Sequence, residues 1–131
     1  MKLFQLLLIG ITALVIGGCV SESNDSIQAE EAPDMLQRHL ELGIGYLRQG
    51  DYPRAKDKLN RALKLNGKSA DVHVTFGLLF QLEGEPKLAE EYFKRAVHFD
   101  PGSAKARNSY GAFLFTEKRY LEAVDQLKIA S

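Results

Sequence analysis

The chain has 131 residues, of which 45% are hydrophobic and 26% are charged, and its 17 basic residues balance its 17 acidic ones. This composition is ordinary for one modest domain, and the balanced charge gives no support for nucleic-acid binding. The single cysteine excludes an intramolecular disulfide. The charges are unevenly placed, because residues 20–35 hold five acids and no base, whereas residues 36–131 hold 16 bases and 12 acids. We interpret this asymmetry as an acidic segment followed by solvated helix faces.

The N-terminal residues have the pattern of a secretion signal. Lys2 precedes an almost wholly apolar run from residue 3 to residue 16, and small residues close the run before Cys19. About 14 to 16 apolar residues fall short of the ~20 that a membrane-spanning helix needs. Residues 16–19, Ile-Gly-Gly-Cys, resemble a bacterial lipobox. The resemblance implies a signal peptide over residues 1–18, cleavage after Gly18, and attachment of fatty acyl chains such as palmitate to Cys19.

The residues after Cys19 bear on where such a lipoprotein is delivered. Val20 and Ser21 follow the cysteine, in place of the Asp that tends to retain Gram-negative lipoproteins in the inner membrane. The lipoprotein resemblance therefore implies a lipid anchor in the outer membrane, facing the periplasm. Residues 19–35 are rich in Ser, Glu, Asn, Asp and Ala, so we predict that they form a flexible acidic tether.

The rest of the chain repeats with a period of about 34 residues, a length typical of helical-repeat proteins. The glycines Gly43, Gly77 and Gly111 are equally spaced at this period, and alanines and large residues recur at fixed offsets from them. The recurring alanines are Ala55, Ala89 and Ala123, followed by Leu59, Phe93 and Leu127. This order and period resemble the tetratricopeptide repeat (TPR). We therefore predict an all-α TPR superhelix of antiparallel helix pairs, with about three repeats.

Capping residues predict where the helices of repeat one begin and end. Asp34, with Gln37 three residues later, forms a capping-box pattern that predicts a helix start near Met35. Gly50 is expected to end this helix, because glycine accepts the left-handed conformation without a steric penalty. Pro53 is expected in the first turn of the second helix, where its missing N–H costs nothing.

The later repeats carry similar signals. Ser69 is expected to cap a helix that ends at Gly84, Pro86 to begin the next helix, and residues 100–103 to break the chain. Lys118 stands where a helix-ending glycine is expected, which predicts a tighter or more strained turn. The predicted repeats span residues 36–69, 70–103 and 104–131. The third lacks a polar capping helix, so we expect a longer parent protein.

The repeating small residues indicate close helix packing. A side chain at Gly43, Gly77 or Gly111 is expected to collide with the partner helix, and the recurring alanines are expected to supply the small surface that faces the glycines.

The candidate patterns for catalysis or for metal binding lack the spacing or the context that such sites require. His39, His73 and His98 lack metal-ligand spacing, and we predict that they pack or lie on the surface. Gly43-Ile44-Gly45 lies in the middle of a predicted helix with no preceding strand, which argues against a phosphate loop. Glu90-Glu91 is interpreted as a solvated helix surface. We predict a protein that is not an enzyme, with no cofactor, metal or nucleic-acid partner.

The first helix of each TPR lines a concave groove, and this orientation selects candidate protein-binding residues. The candidate groove residues are Leu40, Ile44, Leu47, Val74, Leu78, Gln81 and Phe115, with Arg48 and Lys105 among the polar neighbours. A carboxylate clamp would need Lys and Asn where Leu40 and Ile44 stand, so it is disfavoured. The apolar groove suits an amphipathic helix or an extended hydrophobic peptide.

Three stretches are similar to one family in particular. They are residues 41–47 (Glu-Leu-Gly-Ile-Gly-Tyr-Leu), residues 80–89 around Phe80-Gln81 and Glu85 to Ala89, and residues 108–120 from Asn108 to Tyr120. They resemble the type IV pilus biogenesis/stability lipoprotein family (PilF/PilW). This resemblance implies a pilotin, which escorts secretin subunits to the outer membrane and promotes their multimerisation, on which pilus biogenesis and twitching motility depend.

Two alternatives remain open at this point. One is a TPR lipoprotein scaffold in another envelope machine, serving β-barrel assembly or activating a peptidoglycan synthase. The other is an enzyme whose catalytic domain lies outside this chain.

Overall fold

A computed structural model describes residues 24–131, with side chains from residue 32 onward. The described residues form six α-helices, which confirms the predicted all-α fold. The helices are α1 (Asn24–Arg48), α2 (Tyr52–Leu65), α3 (Ala70–Leu82), α4 (Pro86–Phe99), α5 (Ala104–Thr116) and α6 (Tyr120–Ala130). The predicted signal peptide and Cys19 lie outside the described residues. No helix within residues 24–131 has the length and apolar character needed to cross a membrane.

The first helix is longer than the sequence pattern predicts. It begins at Asn24, so the predicted start near Met35 is wrong, and the predicted flexible tether is helical from Asn24 onward. Residues 28–32, Gln-Ala-Glu-Glu-Ala, all have high helix propensity, which outweighs the capping signal. Asp34 therefore lies inside the helix, where its carboxylate pairs with Arg38 one turn later at 3.0 Å.

The turns inside the three helix pairs share one backbone conformation. Gly50 and Gly84 have φ values of +74° and +76°, as expected for residues that end a helix. Lys118 occupies the same position in the third pair with φ of +62°. The predicted strain at this residue is confirmed, because a side chain is disfavoured in the left-handed region.

Side-chain caps and prolines fix the starts of the other helices. The Ser69 and Ser103 hydroxyls accept hydrogen bonds from the backbone N–H groups of Val72 and Ala106, and Asp51 accepts one from Arg54. Pro53 and Pro86 lie in the first turns of α2 and α4, as predicted.

Glycines allow the two helices of each pair to approach closely. A Cβ atom at Gly77 would lie 2.8 Å from the ring of Phe93, and one at Gly43 would lie 2.9 Å from Cδ2 of Leu59. The predicted collision with the partner helix is confirmed. The nearest atoms belong to these large side chains, however, and the predicted alanine neighbours come second, since the carbonyl oxygen of Ala55 is 3.6 Å from the Gly43 position.

Buried residues form two clusters that join neighbouring pairs. One cluster includes Leu40 and Leu59 of the first pair with Phe76 of α3, and the other includes Phe93 of α4 with Phe113 of α5. Each cluster therefore spans two successive pairs. This arrangement leaves one face of α1, α3 and α5 available to line a common surface.

Candidate protein-binding groove

A groove of about 720 Å³ runs across α1, α3 and α5. Its apolar surface comes from Ile44 and Leu47 of α1 and from Leu78 of α3, with Leu82 at one side and the buried Val74 beneath. Leu78 and Leu82 are exposed although they are large and hydrophobic. An apolar, open groove of this kind suits a partner that supplies its own apolar side chains.

Polar and charged groups border this apolar surface. Arg48 and Glu117 line the groove, and Lys105 of α5 forms an ion pair with Asp71 of α3 at 3.0 Å. The side chains of Lys105 and Asp71 are both about half exposed, so solvent screens the pair and it contributes little to stability. Positive and negative side chains therefore both border the groove, and neither sign of charge dominates its edge.

Five of the seven groove residues predicted from the sequence line this groove. They are Ile44, Leu47, Val74, Leu78 and Gln81. Val74 is only 2% exposed and belongs to the second buried cluster, so it lies beneath the groove and offers almost no surface to a ligand.

The structure places the other two predicted residues elsewhere. Leu40 is only 3% exposed and belongs to the first buried cluster, which also contains Val72 of α3. Phe115 is 63% exposed, and its ring contacts that of Tyr120 at a centroid distance of 5.1 Å, so it does not line the groove. Leu40 is therefore a core residue, and Phe115 is a surface residue beside the α5–α6 turn.

Sequence reasoning missed several residues that line the groove. They are Thr75, Leu82, Ser109, Thr116 and Glu117. The repeat register contains the signal for two of them, since Leu82 and Thr116 stand one and two repeat periods after Arg48, which the sequence places among the polar neighbours of the groove. Thr75 and Ser109 likewise stand one repeat period apart from each other.

The histidine at the buried end of α3 is structural. The ring of His73 packs near Phe99 and Tyr92, and its Nε2 is 2.8 Å from the carbonyl oxygen of Gly67. Burial lowers the pKa of His73, so the neutral ring is favoured at neutral pH. His39 is half-buried and His98 is exposed. These positions agree with the predicted packing and surface roles.

The interpretation of Glu90-Glu91 as a solvated surface is correct for Glu91 and wrong for Glu90. The Glu90 carboxylate accepts a hydrogen bond from the Tyr110 hydroxyl at 2.8 Å and pairs with Arg119 at 2.9 Å. The Arg119 hydrogen bond is the main cause that lowers the pKa of Glu90 to about 2. Burial, with the Glu90 hydrogen bond, raises the pKa of Tyr110. This cluster links α4 to α5 and to the turn before α6, and it lies outside the groove lining.

The described residues contain no group of three His, Cys, Asp or Glu side chains that could hold a metal ion.

The fold and the groove are those of a helical-repeat protein that binds other proteins. Comparison with known proteins supports this class. The profile of the tetratricopeptide repeat family matches residues 40–104 and 74–130. The chain belongs to the tetratricopeptide repeat family. Proteins of this family are generally scaffolds or adaptors.

Within this family the chain is similar to a pilus protein. It is 39% identical over 126 residues to the type IV pilus assembly protein PilF of Pseudomonas aeruginosa, covering 96% of this chain and 49% of that protein. A solved structure of Pseudomonas aeruginosa PilF superposes with a TM-score of 0.74 at 40% identity, covering 76% of this chain and 45% of that one. The resemblance to PilF is confirmed.

The likeness extends to a second, less similar solved structure. The crystal structure of MamA superposes with a TM-score of 0.62 at 27% identity, covering 81% of this chain and 63% of that one. The chain spans about half the length of PilF, the curated relative described above.

Proposed function

We propose that the chain is part of a lipid-anchored TPR adaptor, a pilotin, that promotes the outer-membrane localisation and multimerisation of the type IV pilus secretin. The observation that carries the proposal is an open apolar groove on a PilF-like TPR array. TPR grooves recognise peptides, and an envelope adaptor in pilus assembly needs a surface that holds an unassembled subunit.

The character of the groove favours an apolar peptide segment of the secretin. Ile44, Leu47 and Leu78 offer aliphatic surface on two neighbouring helices, spaced to receive side chains from one face of an amphipathic helix or from an extended strand. Burial of this surface would contribute about 25 cal/mol per Å² of apolar area, minus the cost of ordering the peptide.

A carboxylate clamp is disfavoured as the mode of binding. Leu40, at a position where the clamp needs a polar side chain, is buried in the core. Lys105, which matches the clamp pattern, is already paired with Asp71. The proposed ligand is therefore an internal apolar segment, and recognition of a free C-terminus is not required.

Membrane attachment is the second part of the proposal. The lipobox-like Ile16-Gly17-Gly18-Cys19 supports acylation of Cys19, and Val20 and Ser21 support delivery to the outer membrane with the repeats on the periplasmic face. The acyl chains would hold the array at the membrane into which the secretin inserts.

The test substitutes a groove leucine and compares it with a matched leucine elsewhere. Leu78 and Leu88 are both 39% exposed, but Leu78 lines the groove on α3, whereas Leu88 lies on α4 outside the groove lining. Leu78→Glu places a charge on the apolar surface, so it should reduce co-purification of the secretin at least about tenfold. Leu88→Glu should leave it within about twofold. Leu40 is unsuitable for this test, because a buried glutamate would disrupt the core.

Circular dichroism and thermal unfolding establish that both variants remain folded. If folded Leu78→Glu protein retains the secretin as well as Leu88→Glu does, the groove assignment is wrong. If the wild-type chain co-purifies another envelope complex and no secretin, the pilotin assignment is wrong while the groove assignment stands.

A further inference from the structure

The second helices of the three pairs differ strongly in charge. The helix α2 carries five bases and one acid, α4 carries three bases and two acids, and α6 carries one base and two acids. The basic charge is therefore concentrated on the first pair, which directly follows the N-terminal segment.

Most bases of the first pair lie on one face. Arg54, Lys58, Arg61 and Lys64 recur every three or four residues along α2, and this spacing aligns them on the helix surface. Lys68 follows in the turn after α2. We refer to Arg54, Lys58, Arg61, Lys64 and Lys68 as the basic stripe. The opposite face of α2 holds the buried residues Ala55, Leu59 and Ala62.

Among residues 32–131, two acids, Asp51 and Asp57, form ion pairs with the basic stripe. Asp57 is the nearest carboxylate for both Arg61, at 3.1 Å, and Lys58, at 3.9 Å. Arg54 pairs with Asp51 at 3.3 Å. Among residues 32–131, neither Lys64 nor Lys68 has an ion-pair partner. Within that range, the end of the stripe near the α2–α3 turn therefore has the fewest ion-pair partners.

A shallow depression of about 440 Å³ lies on this same surface. It is lined by His39, Asp57, Asn60, Arg61, Lys64 and Leu65. The two cations and the Asn60 amide can donate hydrogen bonds to a phosphate group, and the exposed Leu65 offers an apolar contact beside it. Donors to phosphate next to an exposed apolar side chain match the interface of a phospholipid bilayer.

Helix α1 connects this region to the N-terminal segment. His39 of α1 lies beside Lys64 and Leu65 of α2, so the two helices run antiparallel and the end of α2 faces the middle of α1. His39 follows Asn24 by 15 residues, which corresponds to about 22 Å of helix. Asn24 in turn follows Cys19 by five residues, a reach of at most about 18 Å.

We propose that the basic stripe and its depression bind the headgroups of anionic phospholipids, so that the first helix pair rests on the membrane surface and the groove is held in a fixed orientation above it. The choice of a membrane over a nucleic acid rests on the proposed lipid attachment of Cys19. None of the stripe residues lines the groove, so both surfaces can be occupied together.

The test measures binding of an anchor-free chain to lipid vesicles. The packed clusters lie within residues 36–123, so a chain that begins at Val20 keeps them. It is mixed with phosphatidylethanolamine vesicles in which about a third of the lipid is phosphatidylglycerol, and with vesicles in which phosphatidylcholine replaces the phosphatidylglycerol. We expect sedimentation with the anionic vesicles alone, and its loss at about 1 M salt, where the screening length is about 3 Å.

A charge-matched pair of variants localises the surface. Arg61→Gln/Lys64→Gln/Lys68→Gln should lower the vesicle partition coefficient at least about tenfold, because it removes three positive charges from the surface that faces the anionic headgroups. Lys87→Gln/Arg95→Gln/Lys128→Gln removes the same charge from α4 and α6 and should change it less than about twofold. Equal losses in both triple variants, or equal binding to both vesicle types, would overturn the proposal.

The same protein preparation tests two alternative ligands, a small anion and a nucleic acid. If inorganic phosphate displaces the chain from vesicles no better than sodium chloride of equal ionic strength, the surface recognises a bilayer; preferential displacement would show a small-anion site and overturn the proposal. Binding to a DNA duplex without binding to vesicles would also overturn it. The stripe variant should still co-purify the secretin, and Leu78→Glu should still bind vesicles, so this inference and the proposed function fail separately.

Discussion

The second and third helix pairs have the same spacing of small and large residues, yet they bury those residues to different extents. Phe93 of α4 is fully buried, whereas Leu127, at the equivalent repeat position on α6, is 43% exposed. Both side chains face a glycine of the preceding helix. The difference arises because α5 covers α4, while α6 packs only against α5 among the described residues. In this array the neighbouring pair decides burial, and the residue type alone does not.

The largest expected effect comes from replacing the glycine of the second pair and that of the third pair by alanine. In Gly77→Ala the new Cβ would lie 2.8 Å from the Phe93 ring, which is enclosed and cannot move away, so we expect a loss of about 1–3 kcal/mol. In Gly111→Ala the contact is 3.0 Å from Cγ of Leu127, which is partly exposed and can rotate. Helix propensity then makes the change neutral or stabilising by up to about 1 kcal/mol.

Thermal and urea unfolding of both variants measure this difference, and Gly77→Leu should lose several kcal/mol more than either. Equal losses at Gly77 and Gly111 would contradict the view that the neighbouring pair sets the constraint.

A smaller effect concerns the charge cluster that joins the second and third pairs. The pKa of Glu90 is about 2 in the folded chain against an ordinary value of 4.5, mainly because Arg119 donates a hydrogen bond to it. A lowered folded-state pKa means that ionised Glu90 stabilises the fold fully above about pH 4.5, and that this stabilisation is lost as the pH falls towards 2. Glu90→Gln should therefore cost about 1–2 kcal/mol at pH 7 and progressively less below pH 4.5.

Glu91→Gln is the matched control, because Glu91 is exposed and its pair with Arg95 spans 3.7 Å. It should change the free energy of unfolding by less than about 0.5 kcal/mol at either pH. Unfolding curves at pH 7 and pH 3 test both variants, and a loss for Glu90→Gln that is the same at the two pH values would rule out the linkage.

The smallest effect concerns the turn of the third pair. Lys118 has a positive φ where Gly50 and Gly84 stand in the other pairs. Lys118→Gly should stabilise the chain by about 0.5–1 kcal/mol, because it removes the steric strain at the cost of some backbone entropy. Gly84→Ala should destabilise it by about 1 kcal/mol for the converse reason. Thermal unfolding of the two variants shows whether each substitution stabilises or destabilises the chain. A lower stability of Lys118→Gly would count against strain at this turn.

The repeat pattern predicts most of the fold. The repeat period and the capping residues give the number of helices, their order and all of the turns, because these features depend on local backbone preferences. The start of α1 is the exception, since the capping pattern at Asp34 competes with helix-favouring residues before it and the balance is not visible in a single motif.

The groove is less predictable than the fold. Leu40 and Leu78 are both aliphatic residues on the first helix of a pair, yet one is buried and the other is exposed. The following helix pair decides this difference, because Leu40 and Val74, which stands one repeat period later, each belong to a buried cluster that includes residues of the next pair. The environment of Glu90 could not be predicted from the sequence either, because its partners Tyr110 and Arg119 come from other elements, α5 and the turn after it.

The most direct test of the central claim is the state of the secretin in cells that carry single substitutions in the native gene. Outer membranes are isolated and their secretin multimers are quantified for Leu78→Glu and for its matched control, Leu88→Glu. We expect multimers at the wild-type level with Leu88→Glu and their loss, with monomers accumulating, with Leu78→Glu at equal adaptor abundance. Wild-type multimers in the Leu78→Glu strain would contradict a secretin-binding role for the groove.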